Sequence, residues 1–154
     1  ALGVSKTVGD IAGPCAFALL AGSARVLYAR MSDRIRLERF MALCSVLGIF
    51  SYLLAALSPL PVLSLVGCAL CGFANGVLWP GTFSYASKQY QSGGMALFAL
   101  LALAGDLGCT LGPITVGFVS DLFGGNLRAG MLGAMIFPAV LLIALAVSRE
   151  KKTA

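Results

Sequence analysis

Five long apolar runs, separated by short polar breaks, organise this chain of 154 residues. They are Val8–Tyr28, Phe40–Ser58, Val62–Ser84, Met95–Val119 and Ala129–Val147. Each is close to or above the roughly 20 apolar residues that a helix needs to cross a bilayer. The breaks carry turn chemistry. Ser58-Pro59-Leu60-Pro61 separates the second run from the third, Ser92-Gly93-Gly94 precedes the fourth, and Gly124-Gly125-Asn126 divides the fourth from the fifth. None is long enough to hold a soluble domain. The pattern predicts an all-α, polytopic membrane protein in which residues 1–154 form a single transmembrane domain of five helices.

Composition excludes the alternatives. Hydrophobic residues make up 59% of the chain and charged residues 11%, where a soluble domain carries about 25% charged residues. The mean hydropathy is +0.95. A disordered chain, a coiled coil and an ordinary soluble domain are all incompatible with these values. The 19 glycines predict helices in close contact through small residues. Gly72-x-x-x-Gly76 and Gly108-x-x-x-Gly112 are the stretches where that contact is expected. Pro80, Pro113 and Pro138 fall inside spans, where neighbouring groups can satisfy the carbonyls they free.

The chemistry available to the chain is narrow. It has no histidine, so His-based catalysis and His-ligated metals are ruled out. Cys68-x-x-Cys71 has the spacing of half a zinc site, but it lies in an apolar run with no second pair at zinc spacing. It and Cys15, Cys44 and Cys109 read as small packing residues. No metal, no cofactor and no enzymatic activity are expected. The chain starts at Ala1, with no charged segment and cleavage site before its first apolar run, and reads as a piece of a longer protein.

The net charge of +5 reports orientation rather than nucleic-acid binding. Arg30, Arg34, Arg36 and Arg39 lie in the first connection, Lys88 in the third, and Arg149, Lys151 and Lys152 in the tail. All eight fall on one side of the membrane. Lys6 and Arg128 are the two on the other. The positive-inside rule therefore puts the N-terminus of this chain outside and its C-terminus in the cytoplasm.

The first connection also carries a motif. Ala29-Arg30-Met31-Ser32-Asp33-Arg34-Ile35-Arg36-Leu37-Glu38-Arg39 resembles the loop motif of the major facilitator superfamily, G-x-x-x-D-[RK]-x-G-x-[RK]-[RK]. Asp33, Arg34 and Arg39 match it. Ala29 and Arg36 stand where the family prefers Gly, and Glu38 stands at a basic position. Gly22-Ser23-Ala24-Arg25 resembles the helix end that leads into this motif. Phe73 to Gly81 resembles the family's tenth helix and Gly105 to Pro113 its eleventh. The resemblance covers nearly the whole chain, aligned with helices eight to twelve, and its wording is nearest to bacterial sugar- or fucose-permease-like members. It implies the C-terminal part of a secondary transporter in the cytoplasmic membrane. Such a protein would move a small polar solute, a sugar for example, by alternating access with protons as the coupling ion. Its partners would be the solute, protons, the lipid bilayer and the N-terminal helical bundle of the same protein, with no nucleic acid.

Candidate site residues follow. Asp106 lies near the middle of its run, where an ionised carboxylate costs about 2.5–3.5 kcal/mol. A residue that expensive is a functional candidate, here for proton coupling, against the alternative of a structural hydrogen bond to a neighbouring helix. Thr110 lies one turn on, on the same face. Asn75 and Trp79, four apart, share a face that offers an amide and an aromatic platform to a polar solute; core packing and an interfacial Trp are equally ordinary. Asp10 opens the first run and, by the resemblance, could border the transport path; a helix-start carboxylate aided by the dipole is the plainer reading. Arg25, Asp33, Arg34 and Arg39 are implied by the resemblance to form a cytoplasmic gate cluster, where otherwise they only fix orientation. Gly9-Asp10-Ile11 and Gly105-Asp106-Leu107 echo each other, as inverted repeats would. A standalone channel or assembly protein is the rival reading. An intramembrane aspartyl protease fits less well, because Leu103 stands where its G-x-G-D motif needs Gly.

Overall fold

The computed structural model describes residues 6–90 and 93–150 and is built from six α-helices, with no strand among the described residues. They are α1 Lys6–Met31, α2 Leu37–Leu57, α3 Pro61–Gln89, α4 Gly94–Leu122, α5 Leu127–Gly133 and α6 Ile136–Glu150. By length and composition they make five spans, because α5 and α6 together form the fifth, Leu127–Ser148.

The connections follow from backbone chemistry. Ser58 and Leu60 precede prolines and hold ψ angles of 130° and 126°, the extended region to which a following proline confines a residue. Pro61 then opens α3 at a position where no N–H is needed. Gly124 and Gly125 have φ of 68° and 82° and close the α4–α5 turn. Asn126 caps α5 by accepting a 3.0 Å hydrogen bond from the Arg128 amide.

The fifth span is interrupted at Ala134–Met135. Pro138 is the cause: it lacks the N–H that would bond the Ala134 carbonyl, and its ring crowds that same carbonyl. The Phe137 amide takes over at 3.2 Å, and the Met135 amide likewise reaches back three residues to Leu132 at 3.2 Å. The helix tightens there and α6 restarts at Ile136.

Helix α3 is the spine of the bundle, packed along α1 on one side and α2 on the other. Gly72 and Gly76 make the α1 contact. A Cβ on either would collide with the carbonyl oxygens of Phe17 and Ala21. The two helices therefore touch backbone to backbone, as small residues allow in a membrane. Helix α2 also packs against α6, while α4 rests mainly on α5 and touches α3 lightly. The expected contact at Gly108-x-x-x-Gly112 does not form, since nothing lies within 4 Å of a Cβ placed on either glycine. There α4 stands off from α3.

A small core of Ala24, Phe40, Cys44 and Val77 ties α1, α2 and α3 together near one end, with the Tyr28 and Phe40 rings 5.0 Å apart. Three hydroxyls inside the bundle are satisfied within their own helices, Ser45, Ser51 and Thr82 each donating to the carbonyl four residues back, at 3.0, 2.6 and 2.7 Å, while Ser64 of α3 donates across to the Ala55 carbonyl of α2 at 3.3 Å.

Candidate functional site

Where α4 stands off, a cavity of about 580 Å³ opens between α2, α3, α4 and α6. Asn75, Trp79 and Thr82 line it from α3, Tyr52 from α2, Cys109 from α4 and Phe137 from α6. The spacing of Asn75, Trp79 and Thr82 along α3, at intervals of four and three, is what turns all three to one side. Asn75 donates to the Cys71 carbonyl at 3.0 Å and lies 3.3 Å from the Cys71 sulfur, which leaves its amide oxygen open to the cavity.

The position of Trp79 depends on Gly105. The far edge of the indole lies on the Gly105 Cα, so a Cβ there would overlap the ring. From that contact an aromatic ladder continues. Trp79 meets Phe83 edge-on at 4.9 Å, and Phe83 stacks with Phe98 of α4 at 5.9 Å. These rings join α3 to α4 beside the cavity. They offer a flat apolar surface next to an amide, two hydroxyls and a thiol, a combination suited to an uncharged polar molecule with C–H faces and O–H edges.

Asp106 and Thr110 are not on the cavity wall. Helix α4 presents Ala104, Gly105, Gly108 and Cys109 to the cavity, and a helix turns about 100° per residue. Asp106 and Thr110 therefore lie on the opposite side of α4, both exposed, with the Thr110 hydroxyl donating to the Asp106 carbonyl at 3.0 Å. Ala99, Ala102, Pro113 and Gly117 share that side and are exposed as well. A narrow stripe of α4 from Ala99 to Gly117 is thus small and polar, with one carboxylate in its middle, and the exposed Leu103, Leu107 and Ile114 border it. Asp10 is exposed on α1 and lines none of the cavities described.

The basic connection between α1 and α2 is arranged differently from a joined gate cluster. Its ion pair is Arg36–Glu38 at 3.3 Å, and among the described residues Asp33, Arg34 and Arg39 form none. All three are exposed. Arg25 stands apart from them, about one and a half turns inside α1, and its Nε donates at 2.8 Å to the Gly76 carbonyl of α3. That carbonyl is available because Pro80, four residues on, has no N–H to give it. Arg25, Gly76 and Pro80 thus form one unit, in which a proline opens a backbone acceptor and an arginine from the next helix fills it.

This unit predicts a double-mutant cycle. Arg25→Ala should destabilise the protein by about 1.5–3 kcal/mol, the worth of a hydrogen bond from a charged donor. In a Pro80→Ala background the Gly76 carbonyl recovers a helical partner, and the same Arg25→Ala change should then cost less than half as much. Thermal unfolding of the four variants reads the coupling directly. Equal costs in both backgrounds would show the two residues to be independent.

Sequence reasoning brought Asn75, Trp79, Gly105 and Gly108 into view but not Tyr52, Thr82 or Phe137. Tyr52 did leave a signal, as the one tyrosine in the second apolar run. Comparison with protein families finds one whose pattern matches residues 1–154, described as the Major Facilitator Superfamily. Comparisons with curated proteins and with solved structures found no match.

Proposed function

Because the chain belongs to the major facilitator superfamily over residues 1–154, a family of membrane transporters rather than enzymes, we propose that it moves a small polar solute across a membrane by alternating access, with protons as the coupling ion. The cavity beside Trp79 is the part of the solute path that this chain supplies, and sugars are candidate solutes on the strength of its aromatic and hydroxyl lining. A second helical bundle of the same protein faces this one and completes the path. The basic loop Arg30–Arg39, Lys88 and the C-terminal tail lie in the cytoplasm of a bacterial cell, and the N-terminus of the chain lies outside.

The observation that carries this reading is the outer face of α4. A helix face turned to lipid is normally lined with large apolar side chains, and a carboxylate there is costly. Ala99, Ala102, Asp106, Thr110, Pro113 and Gly117 instead form an uncovered stripe of small and polar residues beside the exposed Leu103, Leu107 and Ile114. Such a face suits a water-filled path or a closely approaching helix. Asp106, across α4 from the Trp79 cavity, can gain a proton when this face is open to the outside and lose it when the face is open to the inside, so that the two sides of α4 serve solute and proton separately. Arg25, Asp33, Arg34 and Arg39 act at the cytoplasmic end of that cycle, Arg25 by holding α1 to α3.

Asp106→Asn in the full-length protein tests the coupling. The change keeps the shape and removes the titration. It should abolish proton-driven accumulation, lowering uptake against a gradient at least tenfold, while exchange of solute across the membrane persists. Normal accumulation with an unchanged pH profile would make Asp106 a structural residue.

A further inference from the structure

At the end of the bundle away from the Pro59–Pro61 turn, a second cavity of about 500 Å³ lies between the end of α1, the α1–α2 connection and the end of α3. It belongs to neither the solute cavity nor the small outer face of α4. Tyr28, Ser32, Arg36, Tyr85, Lys88 and Gln89 line it, over a floor that includes Ile35 and Leu37. Three separate segments thus bring two cations and several hydroxyl and amide groups to one cleft.

The charges do not cancel. Glu38 is the carboxylate on the wall. It is mostly buried, and it meets Arg36 at 3.3 Å. Arg36 engages that partner through one of its nitrogens and keeps further N–H donors on a largely exposed side chain. Lys88 forms no ion pair among the described residues. Among the described residues the cleft therefore holds two cations, Arg36 and Lys88, against the one carboxylate of Glu38. Arg36 is also the N-cap of α2 and makes no side-chain cap hydrogen bond. The positive end of a 21-residue helix adds to the field in the cleft.

The level of the cleft defines its occupant. It is formed where three helix segments end, and tyrosines at such positions mark the headgroup layer of a bilayer. Basic pockets between helices at that depth attract anionic lipid headgroups. We propose that this cleft binds a phosphate group, presented by the headgroup of an anionic phospholipid, with Lys88 and Arg36 as its charged ligands and the hydroxyl of Tyr28 as a further donor. The lipid then ties α1, α2 and α3 together at their shared end.

The test uses the full-length protein in nanodiscs of phosphatidylcholine, of phosphatidylglycerol, and of phosphatidylcholine with added inorganic phosphate, all at matched ionic strength. Phosphatidylglycerol should raise the melting temperature by several degrees. Lys88→Gln should remove at least half of that rise while melting like the parent protein in phosphatidylcholine, and Lys88→Arg should keep it. A rise with inorganic phosphate that Lys88→Gln also removes would support the site and assign it to free phosphate as well. No rise with either source, or a rise that Lys88→Gln leaves intact, would overturn the proposal.

Discussion

Gly105→Ala should cost the full-length protein at least tenfold in transport, although it adds a single methyl group. The reason is the indole of Trp79, which occupies the space a Cβ would take. Tilting Trp79 away would break its edge contact with Phe83 at 4.9 Å, behind which Phe98 stacks at 5.9 Å. Either the ladder shifts and the aromatic wall of the cavity is lost, or α4 moves outward and the cavity widens. Overpacking of this kind typically costs about 1–3 kcal/mol of stability, and the loss of transport is expected from the displaced cavity wall. Trp79→Phe removes the part of the ring that collides. The double variant Gly105→Ala, Trp79→Phe should therefore be more stable than the two single changes predict when added. Uptake assays and melting temperatures of the three variants decide the matter, and strict additivity would show that the contact carries no strain.

A larger loss of stability is expected at the α1–α3 contact. Gly72→Val places a branched side chain against the Phe17 carbonyl, and this obstacle is backbone rather than a side chain that can swing aside. The helices must separate along their shared length, and the neighbouring contact of Gly76 with Ala21 opens with them. The cost should reach or exceed the upper end of the overpacking range, about 3 kcal/mol, a fall in melting temperature of roughly 6–12 °C. Gly108→Val, in an identical sequence motif, should cost less than a third of that. It meets open space. A melting series over both positions checks the contrast, and equal losses would contradict the packing described.

That contrast also marks how far the sequence could be read. Five spans were legible because crossing a bilayer requires a length of apolar chain, and length is written directly in the residues. Asn75 and Trp79 were legible as a pair because helical spacing alone puts them on one face. Which of two GxxxG stretches makes a contact was not legible, since that depends on how far α4 stands from α3. Tyr52 and Phe137 escaped for a related reason. Their helices are apolar all round, so no polar stripe marks the side that faces inward. The side of α4 that Asp106 occupies was equally hidden, since its depth could be counted along the run but its direction is set by the neighbours. The interruption of the fifth span was written in Pro138, yet its effect falls four residues upstream, inside an unbroken apolar run.

The same interruption has a mechanical side. Helix α6 leans on α2 and so belongs to the three-helix block built on α3, whereas α5 leans chiefly on α4. The Ala134–Met135 step is the seam between these two allegiances. If α4 and α5 shift against the block, the displacement can be taken up as bending over two residues, rather than as sliding along the full length of a stiff rod. The span is long enough to cross the bilayer and compliant at one chosen level, and Pro138, which sets that level, also forms part of the cavity wall. Compliance and cavity thus meet at the same residue, so that a change in the shape of one is felt directly by the other.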